Sequence, residues 1–453
     1  MIGSFRAAVA AARRHGDLYF AALLPEQLIV EAFGEASSLW QGWIYTPAVT
    51  VWVFLSQCLS PDHSCREAVA RLAAWRLAQG RRACSPETGG YCTARSHLPE
   101  NACRELVRRT GRAAEAAAPA AWLWHGRRVR VVDGSTITMA DTAQNQAAYP
   151  QAKTQRRGCG FPIARIAVVF SLSVGTVLEA AIGPYKGKRT GENTLFRTLQ
   201  ADLNPRDVVV ADRYFSGWFD IVLLAERGVD VVLHKHQKRP TDFRGGRRLG
   251  REDQVVRWPK PPRPAWMSRR DYAALPDELE IRELRVRVKQ RGFRVRSLVV
   301  VTTLSDDERY PLDEIAALYR RRWQGELHLR SLKSVLQMDR LRSKTPERVR
   351  NEYYLHLLGY NLIRRVMTEA ALEAGVEPRQ LSFKGALQTL ANFLPLAASA
   401  VSLEAWYRGL LAAIAAHVVG NRPDRVEPRL VKRRPKPYKL LQRPRDDYKR
   451  RWR

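Results

Sequence analysis

The stretch RDVVVADRYFSGWFDIVLLAERGVDVVLHKH, residues 206–236, decides the fold. Val208–Ala211 is an unbroken apolar run, entered from Asn204-Pro205 and ended by Asp212. A run this short and β-branched reads as a strand buried on both faces. SGWFDIVLLAERG (216–228) reads as a helix, and Gly228 suits its C-terminal end. VDVVLHKH (229–236) then reads as a second strand.

The same texture extends upstream. RRVRVVDGS (127–135) reads as a strand that runs into Asp133-Gly134. PIARIAVVFSLSVGTVLEAAIG (162–183) reads as a hairpin of two strands, and GENTLFRTLQADL (191–203) as a helix. Three strands, a helix, a strand, a helix and a strand make a mixed α/β sheet. Residues 1 to about 120 read as helical. TPAVTVWVFLSQCLS followed by PDHSCREAVARLAAWRLAQG gives helix, turn, helix, with Asp62 or Ser64 as the second helix's cap. Residues 237 to about 295 are rich in Arg, Pro and Gly and read as a β-rich insertion. From Pro311 the chain reads as helical to about residue 420. No internal repeat is found.

Charge sets the partner class. The 453 residues carry a formal net charge of +31, with 45% apolar and 27% charged residues. That is a globular composition with an excess of cations, and it calls for a polyanionic partner, nucleic acid first. No amphipathic basic helix dominates, which argues against a membrane surface. The N-terminus has no signal-peptide pattern and no run is long enough to span a bilayer, so a cytoplasmic location is expected. The six cysteines (58, 65, 84, 92, 103 and 159) form no CxxC pair and read as free thiols rather than a zinc site.

Three carboxylates stand out. Asp133 and Asp212 each follow an apolar strand, where an unpaired charge is costly. Either alone fits a turn or a helix cap. Together, on strands that the topology could place side by side, they favour a metal. Asp141, eight residues after Asp133, is a rival with weaker strand context. The third is Glu326, in YRRRWQGELHLRSLKSVL (319–336). On one continuous helix, Tyr319, Arg322, Glu326 and Lys333 would share an arc of about 80°. Leu318, Leu329, Leu332 and Leu336 form the neighbouring packing stripe, and Gly325 permits close approach. A solvated ion-pair face is the plain alternative, since Arg322 and Glu326 are an i,i+4 pair. Oxygen-only ligands suit Mg²⁺ or Mn²⁺, and two such ions support phosphodiester displacement. The surrounding cations, Arg330 among them, would hold the substrate's phosphates.

The order strand-Asp, strand-Asp, β insertion, helix-Glu resembles the DDE transposases. The Tyr-x2-Arg-x3-Glu-x6-Lys spacing of Tyr319, Arg322, Glu326 and Lys333 is the signature of the insertion sequence 4 family of bacterial transposases. DGSTITMADTAQNQAAYPQ, VVVADRYFSGW and MDRLRSKTPERVRNEYYLHLLGYNLIRR also look like that family's segments, and the resemblance covers roughly residues 15–375. It implies an α/β fold with an RNase H-like mixed sheet, helices on both faces and a β-rich insertion. A helical N-terminal domain and a helical C-terminal region complete it. The expected organisation is a DNA-binding region at 1–120, core at 121–236, insertion at 237–303 and the glutamate helix with its successor at 304–375. C-terminal helices at 376–420 and a basic, disordered tail at 421–453 follow.

By the same resemblance, Asp133, Asp212 and Glu326 are the catalytic metal ligands, with two Mg²⁺ or Mn²⁺ ions. Tyr319, Arg322 and Lys333, joined by Arg213, contact DNA backbone. Trp258 and Trp266 are the insertion's tryptophans, candidates to stack on a flipped base, against packing in the core. The implied activity is cut-and-paste transposition through a hairpin intermediate, on terminal inverted repeats and target DNA. It implies a homodimer in the synaptic complex and a nucleoid-associated bacterial protein. A decayed DNA-binding repressor or architectural factor is the alternative, and so is a structure-specific nuclease without strand joining.

Overall fold

The computed structural model describes residues 24–38, 40, 43–287, 297–420 and 439–450. Its centre is one sheet of nine strands in the order β3-β2-β1-β4-β5-β9-β8-β7-β6. The strands are β1 (Val129–Thr138), β2 (Ile163–Ser171), β3 (Val177–Pro184), β4 (Val208–Ala211), β5 (Asp230–His234), β6 (Arg247–Gly250), β7 (Asp253–Pro259), β8 (Glu278–Arg287) and β9 (Ser297–Thr302). β1, β4 and β5 run parallel, and the remaining pairings are antiparallel. This is the RNase H-like mixed sheet, widened at the β5 edge by the four strands of the insertion.

The apolar run of β4 is buried on both faces, as its sequence demands. Val208 and Val210 enter one core, Val209 and Ala211 the other. Burying each valine contributes about 1.5–3 kcal/mol. Helices Glu192–Leu199 and Trp218–Ala225 cover the second face. The latter ends at Gly228, whose φ of 69° lets the Val229 N–H return to the Leu224 carbonyl. On the first face lie helices Leu312–Arg320, Trp323–Arg330 and Pro346–Glu373, the last almost wholly buried.

The N-terminal helices belong to this same apolar core. Pro47–Leu59, capped by Thr46, and Glu100–Ala116 both pack on Pro346–Glu373. Ser64 caps helix Cys65–Ala78, while Asp62 accepts from the Ser64 hydroxyl. Asn361 joins the layers. Its amide bonds the N–H and C=O of Val177 on edge strand β3 and also the Val107 carbonyl. All six cysteines are free thiols.

Two expectations need correction. The stretch 319–336 is not one helix. It breaks after Arg320, resumes at Trp323 and ends in a widened π-type turn, Ser331–Val335, closed by Leu336 N–H to Ser331 O. Nor is the chain helical throughout from Pro311, because residues 337–345 are irregular and Arg340 bridges the end of β1. Most of the tail lies outside the described residues. Its described part carries a short helix, Arg445–Lys449.

Candidate active site

Register brings the two aspartates together. Val131 on β1 pairs with Val210 on β4, and Val210 pairs with Val232 on β5. Two residues further along, Asp133, Asp212 and His234 stand in one row across three parallel strands. Neighbours in such a row are about 5 Å apart at the backbone. Side chains alternate between faces, so these three project from the face that carries Val131, Val210 and Val232. That is the face of the glutamate helix, at the carboxyl ends of the parallel strands, where α/β sheets place their sites.

Gly325 lets the helix in. A Cβ built there would lie 2.9 Å from Val131 Cγ1 and 3.4 Å from both Asp133 Cβ and Oδ2. With no side chain, the helix backbone rests on β1, and Glu326 is delivered beside Asp133. Arg322 Nη2 donates to Glu326 Oε1 at 2.8 Å. Oε2 accepts no hydrogen bond among the described residues. Lys333, carried round by the π turn, donates to Ser135 Oγ at 2.9 Å, two residues beyond Asp133. The signature residues therefore converge although the helix carrying them is broken.

The aspartates do local work as well. Asp133 Oδ1 accepts the Gly134 N–H at 2.9 Å, and Asp212 Oδ1 accepts the Tyr214 N–H at 2.6 Å, capping the turn Arg213–Phe215. The turn reading therefore describes both aspartates. Burial pushes the Asp133 carboxyl up to about 6, and the Glu326 and Asp212 charges push the same way against the Gly134 bond and Arg322. Burial raises Tyr319 to about 12, with Arg322 opposing. Burial lowers Lys333. Burial, then Arg213, lowers the His234 imidazole, whose ring lies 6.3 Å from that of Tyr319.

All three acids offer hard oxygen donors, and their mutual repulsion at Asp133 is what a divalent cation relieves. The donor set fits such an ion. Among the described residues no three His, Cys, Asp or Glu side chains already stand at ligand distance.

The remaining expected residues divide. Arg213 is exposed and bonds Gln237 Oε1 at 2.9 Å, and Arg330 is exposed on the glutamate helix. Trp258 is a correction. It is 6% exposed, with its N–H on Glu283 and Arg239 over its ring, because it fills the second core. Trp266 is packed between Arg197, 4.0 Å over its ring, and Phe219. Asp141 is exposed and bonds Gln146, beyond the end of the strand.

Sequence reading missed four neighbours. His234 completes the row. Glu192 lies over Gly134, where an added Cβ would meet its Cδ at 2.4 Å, and its carboxyl is raised first by burial, with Asp212 adding to the shift. Tyr214 and Trp323 are 49% and 51% exposed, next in sequence to Arg213 and Arg322. Their adjacency to cations was the available signal.

A family model described as a transposase DDE domain matches residues 124–362. The transposase InsG for insertion sequence element IS4 of Escherichia coli K12 is 28% identical over 354 residues, covering 76% of each chain. The putative transposase InsL for element IS186A of the same organism is 41% identical over 66 residues, 15% of this chain and 18% of the relative. A solved structure, the piggyBac transposase synaptic complex with hairpin DNA, aligns with 91% of this chain and 88% of its own at 10% identity and a TM-score of 0.43.

Proposed function

Because this chain belongs to the family of transposases with a DDE domain, we propose that Asp133, Asp212 and Glu326 are the carboxylates with which it cuts and joins DNA. The enzyme is a DDE transposase, a polynucleotidyl transferase acting on DNA. The observation that carries the assignment is the approach of the Gly325 backbone to Asp133, which sets Glu326 beside a row already holding both aspartates.

The family works with divalent metal ions, and here Asp133, Asp212 and Glu326 would hold them, as two Mg²⁺ or Mn²⁺. Bound there, such ions supply an activated water and a stabilised leaving oxygen for displacement at phosphorus. The protein's own groups do the rest. Arg322, Arg213 and Lys333 hold backbone phosphates on either side of the scissile bond and neutralise charge gathered there. Tyr319, held protonated by burial, donates a hydrogen bond. Tyr214 and Trp323 offer exposed rings to unstacked bases. In this reading water first nicks one strand. The freed 3′-OH then attacks the opposite strand to give a hairpin, and a second water hydrolyses that new phosphodiester, restoring the 3′-OH that joins target DNA. Residues 1–120 take part in recognising the terminal repeats, and two copies act together on paired ends.

The test uses the full chain, Mg²⁺ and a duplex carrying the repeats that flank its own gene. Cleavage at the repeat ends is expected, lost in Glu326→Ala with DNA affinity retained. Equal binding and no cleavage by both proteins would leave a DNA-binding protein instead.

A further inference from the structure

The row of Asp133, Asp212 and His234 continues into a cavity. A cleft of about 350 Å³ opens at the β5–β9 side, lined by His234, His236, Gln237, Arg239, Arg285 and Ser297 among others. It touches the catalytic row twice. His234 belongs to both, and Gln237 on the cleft's rim accepts the Arg213 hydrogen bond. From β4 to β9 is two strand spacings, about 10 Å.

Its charges are out of balance. Lys235 is committed to Glu283 at 2.5 Å and to the Pro240 carbonyl. The same Glu283 oxygen also takes the Trp258 N–H. Arg239 lies 4.1 Å over the Trp258 ring and has no carboxylate at ion-pair distance among the described residues. Arg285 has a distant partner in Glu252 at 3.5 Å, and its buried Nε makes no hydrogen bond. Residues 288–296 contain four basic side chains and no acidic one, so that adjoining sequence brings no countercharge. A half-buried guanidinium over an indole, with no carboxylate within ion-pair distance among the described residues and Glu283 acting on it only from further away, is suited to a ligand's anion.

We propose that this cleft is a phosphate subsite, anchored by Arg239, that holds a DNA backbone phosphate on the insertion side of the scissile bond. This rests on the transposase reading above. At 3.4 Å per nucleotide along a strand, a span of about 10 Å puts that phosphate within about three nucleotides of the cut. Arg239 is a positioning residue. It fixes the strand so that the scissile phosphate meets the carboxylates.

The test compares wild type, Arg239→Gln and, as an exposed basic control, Arg257→Gln. Binding to the terminal-repeat duplex is measured against salt and with single methylphosphonate substitutions along each strand. Losing one charged contact weakens binding about tenfold. It also reduces the slope of log K against log salt by about one in Arg239→Gln, with no such change in Arg257→Gln. In wild type, one methylphosphonate within about three nucleotides of the cut reproduces the loss, and Arg239→Gln is indifferent to it. Unchanged slope and an unchanged methylphosphonate profile in a folded Arg239→Gln protein would overturn the proposal. If Arg239→Gln melts early, Arg239→Lys, which keeps the charge and loses the planar fork, takes its place, and a methylphosphonate profile identical to that of wild type overturns the proposal. Pyrophosphate binding by calorimetry that depends on Arg239, without any effect on DNA, would assign the cleft to a free anion and refute the DNA role. Cleavage by wild type and not by Glu326→Ala is scored separately, so failure of the transposase reading is distinguishable.

Discussion

Asp133 shows how function strains a single residue. Its carboxyl in the fold sits at about 6, against an ordinary 3.8. A raised acid favours the fold when protonated. That contribution is complete below about pH 4 and is lost as pH rises through 6, after which the ionised group opposes folding. The difference amounts to about 2–3 kcal/mol. In metal-free buffer Asp133→Asn should therefore raise the melting temperature at pH 8 and leave it nearly unchanged at pH 4. A difference independent of pH would remove burial and like charge as the cause. The residue's importance was legible from its strand-end position. Its perturbation was not, because that depends first on burial in the folded sheet and then on Glu326 and Asp212, 193 and 79 residues away in sequence.

At the scale of the element, the contact of helix Trp323–Arg330 with β1 is the decisive one. Gly325→Ala puts a methyl 2.9 Å from the fully buried Val131. Overpacking of this kind costs about 1–3 kcal/mol. The larger effect falls on chemistry, since moving Glu326 by about 1 Å can cost about a hundredfold in rate. A folded Gly325→Ala protein that binds repeat DNA normally and cleaves it at least tenfold more slowly is expected. Full activity would show that the close approach is not needed. The Tyr-Arg-Glu-Lys spacing was plain in the sequence, and the break between Tyr319 and Trp323 was not. The wide turn at Ser331–Val335 compensates by carrying Lys333 back to Ser135, a common form of irregularity at functional sites.

For the whole molecule, a buried ion pair inside the insertion, between β7 and β8, reaches the core through Arg282. Arg282, 0% exposed, holds both oxygens of Asp253, at 2.8 and 2.5 Å, and donates to the Tyr310 carbonyl ahead of helix Leu312–Arg320. Arg282→Met leaves Asp253 buried and unpaired, an expected loss of about 3–5 kcal/mol in chemical denaturation. Adding Asp253→Leu should recover much of it. A double variant no better than the single one would show that the Tyr310 bond, and not the charge, is what matters.

The sequence by itself determined the strands, the helices flanking them, the polyanionic partner and the three carboxylates. Each of these is written in local patterns: apolar runs, caps, charge count and fixed spacing. Only the tertiary structure decided which residues meet. The parallel register that aligns Asp133, Asp212 and His234, the seat of Gly325 on Asp133, the burial of Trp258 and the seat of Arg239 over its ring all join distant parts of the chain. No local pattern encodes such distances, because they follow from how strands pair and how side chains fill the space between layers.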